Sequence, residues 1–169
     1  MNLVNCIIFW KKTKNISFNF KIGKFRNLYI EDGSIFNIHS SVVLREFCSI
    51  YIASRAELII NRGVFFNNYC SINCFKKIEI GEESIFGEGV KMYDHNHQYS
   101  NVDLKVEINQ FTTNPIRIGS NCWIGSNVTI LKGVTIGDNV IIGANCLIYK
   151  SIPSNSIVKH TSGLDIKTI

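Results

Sequence analysis

Apolar positions recur every six residues between Ile118 and Pro153. Isoleucine stands at Ile118, Ile124, Ile130, Ile136, Ile142 and Ile148. Four places after the first five come Cys122, Val128, Val134, Val140 and Cys146, all small or β-branched. Each of these follows an Asn or Gly: Asn121, Asn127, Gly133, Asn139 and Asn145. A period of six is neither the 3.6 of an amphipathic helix nor the 2 of a half-buried strand. Short repeats of this kind mark a parallel β-helix.

The chemistry of one six fits a three-cornered coil. The isoleucine and the small residue point into a narrow core. Asn and Gly tolerate the left-handed backbone that a tight corner needs. Gly119, Gly125, Gly137 and Gly143 follow their isoleucines and relieve crowding at the bend. Coils stacked on one another share backbone hydrogen bonds and bury a continuous apolar row.

The same frame runs backwards in degraded form. Ile22-Gly23 with Leu28, and Ile30 with Gly33-Ser34, are weak matches. Ile38, Leu44 and Ile50 form a trio, as do Ile60, Phe66 and Ile72, and then Ile80, Phe86 and Met92. Between trios the frame slips, from Ile50 to Ile60, Ile72 to Ile80 and Met92 to Ile118. Three sixes make one turn, so the slips are expected at a single corner of the prism. The largest of them, residues 93–117, is expected to project as a loop. The domain plan is a capping segment over 1–21, a β-helix over 22–153 and a tail over 154–169.

These sixes resemble those of the hexapeptide-repeat acyltransferases, the family that includes galactoside, maltose and polysaccharide O-acetyltransferases. The resemblance implies an all-β, left-handed parallel β-helix with one large projecting loop. It implies acetyl-CoA as acyl donor, no metal, and a homotrimer whose active sites lie between chains. The family's glycine–proline loop after the repeat is replaced here by His160-Thr161-Ser162-Gly163.

Composition narrows the partners. One domain suits 169 residues, and hydrophobic residues at 46% suffice for a core. The net charge of +5 comes without a nucleic-acid motif, and the lysines are dispersed. A phosphate-bearing ligand is the simpler reading and no nucleic-acid partner is expected. Cys48, Cys70, Cys122 and Cys146 fall in the inward small-residue slot, so they are read as reduced buried thiols. The expected location is cytoplasmic. Ile7 to Trp10 followed by Lys11, Lys12 and Lys14 suits a cap over the first coil, or peripheral membrane contact through residues 1–20.

Candidate chemistry gathers where the loop begins, in Met92-Tyr93-Asp94-His95-Asn96-His97. Histidine can take a proton from a hydroxyl near neutral pH. By resemblance, the run Gly89-Val90-Lys91-Met92 places His97 as general base, with His95 the alternative base. Asp94 would orient one of the two imidazoles. Tyr93 and Asn67 would contact an acceptor sugar. Trp123, Gly125 and Ser126 match positions that shape the acetyl pocket and face the thioester oxygen. Ala144, Tyr149 and Lys150 match the path of CoA, and Lys167 joins them if the tail folds back. The function implied is acetyl transfer to a hydroxyl of a sugar or surface-polysaccharide precursor. Alternatives are N-acetylation of an amino sugar, a non-catalytic β-helix scaffold, and a zinc-dependent carbonic anhydrase of the gamma class. The last would use His95 and His97 with His39 or His160 as third ligand.

Overall fold

The computed structural model describes residues 15–16, 21–23 and 27–159. The aromatic–lysine run at 7–14, His160 and Lys167 lie outside these residues. The chain winds into about six coils with three faces, every neighbouring pair across a face being parallel. The first face stacks Asn15–Ile16, Ile35–Ile38, Glu57–Ile60, Lys77–Ile80, Ile116–Ile118 and Thr135–Ile136. The second stacks Lys21–Ile22, Val43–Leu44, Phe65–Phe66, Ile85–Phe86, Trp123–Ile124, Ile141–Ile142 and Ile157–Val158. The third stacks Asn27–Ile30, Ser49–Ile52, Ser71–Cys74, Lys91–Tyr93, Thr129–Leu131 and Leu147–Ile148. This is an all-β parallel β-helix, consistent with the left-handed form. Among the described residues no helix is long and apolar enough to cross a membrane.

The six-residue frame is the core. Ile38, Ile60, Ile80, Ile118 and Ile136 stack beneath the first face, all at most 3% exposed. Leu44, Phe66, Phe86, Ile124 and Ile142 do so beneath the second, and Ile50, Ile72, Met92, Ile130 and Ile148 beneath the third. Each such side chain contributes about 1.5–3 kcal/mol by leaving water. Phe66 and Phe86 stack at 4.4 Å between ring centroids. Ser84 replaces the valine of its column and is fully buried. Its Oγ donates to the Gly119 carbonyl at 2.9 Å and accepts the Cys122 amide at 3.1 Å, so no polar group is orphaned. The cysteines Cys48, Cys70, Cys74, Cys122 and Cys146 are buried free thiols.

All three slips of the frame fall at the edge where the third face turns into the first. Ile38 pairs with Ile60, an offset of 22 residues, Ile60 with Ile80, an offset of 20, and Ile118 with Ile136, an offset of 18. The prism is therefore wider in its early coils. The extra residues at that edge bury Ile52, Ala56 and Leu58.

The other two edges turn through left-handed residues. Where the second face meets the third, the late coils use Asn127 and Asn145, residues suited to it, and an earlier coil uses Gly89. The two coils before that place Phe47 and Tyr69 there, at φ 60 and 61. A bulky side chain in this region costs about 1–2 kcal/mol. The rings stack at 5.3 Å and 11°, which offsets about 0.5–1.5 kcal/mol of it.

Candidate active site

The chain leaves the third face at Tyr93 and joins the first face at Ile116. The segment expected to project as a loop is an antiparallel hairpin, His95–Tyr99 paired with Val106–Thr113. The Asn114 amide closes its root on the Asp94 carbonyl at 2.9 Å. The pairing register shifts between His97 and Gln98. Such a bulge re-aims side chains and twists the strand.

His97 is exposed on this hairpin. Its Nδ1 lies 3.3 Å from the carbonyl oxygen of Glu107. A carbonyl only accepts, so the bond requires the proton on Nδ1 and leaves the lone pair on Nε2. The ring packs on Phe111 at 4.7 Å between centroids. Neither partner was named from sequence. Their signal is the alternating run Val106–Thr113, which reads as a strand only once its pairing with 95–99 is known.

His95 stands differently. Its side chain is 12% exposed, held between Phe75 at 3.8 Å and Phe111 at 5.4 Å between ring centroids, with Tyr93 edge-on at 6.2 Å. Burial among these rings pushes its pKa below the ordinary histidine value, against the pull of Asp94. Its Nδ1 is buried and makes no hydrogen bond.

Asp94 is fully buried, with Oδ1 3.5 Å from His95 Nδ1, and its hydrogen bonds hold the chain. Its Oδ1 accepts the Phe75 amide at 2.8 Å, and its Oδ2 accepts the amides of Lys76 at 2.8 Å and Lys77 at 2.9 Å. The carboxylate thereby satisfies the short connection from Cys74 to Lys77 at the slipped edge. It also raises the pKa of Cys74, behind the larger effect of burial.

The remaining candidates divide between two edges. Trp123 points outward from the second face, 57% exposed, between Ile85 and Ile141. Gly125, Ser126 and Ala144 sit together where that face meets the third. A Cβ on Gly125 would stand 2.6 Å from the Ala144 amide nitrogen. The Gly125 amide is committed to the Ile142 carbonyl at 2.7 Å, whereas among the described residues the Ser126 amide enters none of the backbone bonds between coils. Asn67 lies on the same edge two coils earlier. Its Oδ1 accepts from Arg45 Nη1 at 3.2 Å and from the Asn68 amide at 2.9 Å.

Tyr149 and Lys150 stand on the hairpin's edge, away from this group, with the ammonium 5.6 Å from the tyrosine ring centroid. At the end of the Gly125–Gly143 strip comes the exposed Lys159, whose Cα is 3.8 Å from where a Cβ on Gly143 would stand. Sequence reasoning missed it because it lies beyond the last isoleucine of the repeat. The second-face group thus has no member on the hairpin of the same chain. A shallow recess on the first face, lined by Asn61, Glu79, Arg117 and Asp138, contains no candidate residue. Among the described residues no three His, Cys, Asp or Glu side chains converge on a metal-sized site.

Known proteins set this geometry in context. Residues 115–150 match the family model "bacterial transferase hexapeptide (six repeats)". No curated protein sequence matches the chain. Among solved structures, the polysialic acid O-acetyltransferase OatWY shares the fold at TM-score 0.67 and 23% identity, over 89% of this chain and 82% of its own. A maltose O-acetyltransferase from Clostridium difficile 630 aligns at TM-score 0.55 and 25% identity, over 92% of this chain and 70% of its own. A galactoside acetyltransferase in complex with coenzyme A aligns at TM-score 0.55 and 27% identity, over 85% of this chain. The aligned part spans 62% of that enzyme's length. Residues 115–150 of this chain are therefore bacterial-transferase hexapeptide repeats, set within the solenoid fold of hexapeptide-repeat acetyltransferases.

Proposed function

We propose that this chain is an acetyl-CoA-dependent O-acetyltransferase acting on a sugar or a surface-polysaccharide precursor. The observation that carries the reading is the hydrogen bond from His97 Nδ1 to the Glu107 carbonyl. It holds the imidazole as a base with Nε2 free and exposed on a projecting hairpin. A relative of similar fold is a galactoside acetyltransferase bound to coenzyme A, and another acetylates polysialic acid.

In this mechanism His97 Nε2 takes the proton of an acceptor hydroxyl as its oxygen attacks the thioester carbonyl carbon. The C–O bond forms and the C–S bond breaks. The imidazolium returns its proton to the departing sulfur. The Ser126 amide is the donor placed for the oxygen that becomes negative between these events, since the Gly125 amide is already bonded. Acetyl-CoA supplies the activated acyl group. The Gly125–Ser126 and Gly143–Ala144 steps offer it a strip without bulky side chains, ending at Lys159 for phosphate. His95 serves as packing beneath His97 in this account, and Asp94 as a clamp on the corner.

The site is shared between chains. His97 rises from one edge, while Trp123 and the strip lie on another. The outward row Ile85, Trp123, Ile141 and Ile157 is exposed and apolar, as are Val102, Leu104 and Ile108 at the hairpin tip. Contiguous exposed apolar side chains mark association surfaces. A homotrimer would cover both and bring His97 of one chain to the strip of the next. A cytoplasmic location belongs to the same proposal, since the described cysteines are all free thiols.

The test is release of free CoA from acetyl-CoA in the presence of candidate sugars. His97→Ala is expected to lower turnover by about 10²–10⁴-fold without loss of fold, and His95→Phe to retain most of it. Full turnover by His97→Ala with loss in His95→Phe would reverse the assignment of the base.

A further inference from the structure

We infer that Tyr69, Gly89 and Lys91 form an acceptor subsite for a sugar ring carrying an acidic group. The inference rests on the acetyl-transfer reading above and names the class of acceptor.

The edge between the second and third faces carries a broken aromatic ladder. Phe47 and Tyr69 occupy successive rungs, stacked at 5.3 Å and nearly parallel at 11°. Both hold a left-handed backbone that bulky side chains rarely adopt. The next rung is Gly89, at φ 70, which has no side chain to continue the stack. Tyr69 stays 55% exposed. One face of its ring lies on Phe47, and the other opens toward the missing rung. Backbone strain held in place at an exposed surface is a pointer to function.

The surroundings of the gap are polar. Lys91 bends back so that its ammonium donates to the Gly89 carbonyl at 3.1 Å. Among the described residues it joins no ion pair, unlike Lys77, which meets Glu57 at 2.9 Å. Above the gap, Asn127 Oδ1 comes within 2.5 Å of where a Cβ on residue 89 would stand. To the side is Asn67, the carboxamide already considered for acceptor contact. Glu46 and Glu88 share this edge, on the residues beside it.

An aromatic face, two carboxamides and an unpaired ammonium are what a pyranose with an anionic substituent requires. The ring's C–H face packs on Tyr69, its hydroxyls meet Asn67 and Asn127, and its charge meets Lys91. A planar apolar ligand would leave Lys91 and the carboxamides without work. The gap is also on the same edge as Gly125 and Ser126, so a chain of sugars lying along it leads toward the proposed acetyl-transfer point.

The test uses the full-length protein with three probes: a uronic-acid hexamer, a neutral hexose hexamer of the same linkage, and a hexose phosphate. Binding is followed by calorimetry without acetyl-CoA, and transfer is followed by CoA release. Tyr69→Asn removes the ring and installs the residue that Asn127 and Asn145 use at this corner, so the fold is kept. The expectation is an anionic probe bound roughly tenfold more weakly by Tyr69→Asn, while Tyr69→Phe binds like the native protein. Lys91→Gln is expected to erase the preference for the anionic probe and leave neutral hexamer binding unchanged. In transfer, the acceptor KM rises and kcat and the acetyl-CoA KM stay. Preference for uronate over hexose phosphate assigns a carboxylate, and the reverse assigns a phosphate. Unchanged binding in both variants, or a rise in the acetyl-CoA KM instead, overturns the subsite. Retained glycan binding with no transfer to any acceptor would fail the enzyme reading and leave the subsite standing.

Discussion

Asp94 Oδ1 stands 3.5 Å from His95 Nδ1, yet its hydrogen bonds go to the backbone of residues 75–77. A buried carboxylate that accepts three amides is a structural anchor first. Asp94→Ala would take the acceptor away from those three part-buried N–H groups, at a cost on the order of 1–3 kcal/mol. Asp94→Asn keeps one accepting oxygen and should lose less. Urea denaturation followed by circular dichroism checks this. Native stability in Asp94→Ala, with activity alone reduced, would return Asp94 to the role of orienting a histidine.

The aromatic cage around His95 predicts a pH effect on stability. Burial lowers its folded pKa, while the unfolded chain keeps a value near ~6.5. As pH falls through that unfolded value, the unfolded state takes up a proton that the folded cage resists. The contribution is therefore present above about pH 6.5 and is lost progressively below it, down to the depressed folded value. Replacing His95 with Phe should flatten the stability curve over that acidic interval. Melting temperatures of both proteins between neutral and mildly acidic pH decide it, and parallel curves would sink the idea.

Much of this architecture was legible because a β-helix writes one core position per face. Ile118 to Ile148 fixed the late coils, and the three slips pointed to a single irregular edge, where they all lie. The hairpin was not legible. Its strands pair antiparallel outside the frame, and the turn between Tyr99 and Val106 lacks an Asn-Gly or Asp-Gly pair. The role of Asp94 was hidden for a related reason. Its partners lie 17 to 19 residues earlier and meet it only after the coil has closed. Lys150 and Lys159 could not be ranked from the repeat, because the edge that each occupies depends on a final coil that shortens. Ile142 pairs there with Val158, an offset of 16.

Glycines in this fold do two separate jobs, and substitution can tell them apart. A Cβ on Gly81 would meet the Gly119 carbonyl carbon at 2.4 Å and the Ser120 nitrogen at 2.6 Å. Backbone cannot step aside, so Gly81→Ala must pry two coils apart. Gly33 has φ +76 and open space, its nearest atom being 4.0 Å away. Gly33→Ala should cost only the left-handed conformation, about 1–2 kcal/mol. The expected order is a large loss for Gly81→Ala, with reduced soluble yield, and a small one for Gly33→Ala. Equal losses in thermal denaturation would mean that coil contact is not what holds Gly81.

A site shared between chains predicts recovery on mixing. His97→Ala removes the proposed base, and Ala144→Trp blocks the strip at an exposed position where a large side chain is free to point outward. Each variant alone should be inactive in CoA release. Co-expressed in equal amounts, the two kinds of chain assemble at random around the same axis. About a quarter of the shared sites would then draw a native hairpin from one chain and a native strip from its neighbour. Recovery near that fraction supports assembly across chains. If each chain carried a whole site, every site in the mixture would still lack one part, and no activity would return. Sedimentation of the native protein supplies the independent check, because a stable monomer that turns over at full rate is incompatible with His97 acting on a neighbour's strip.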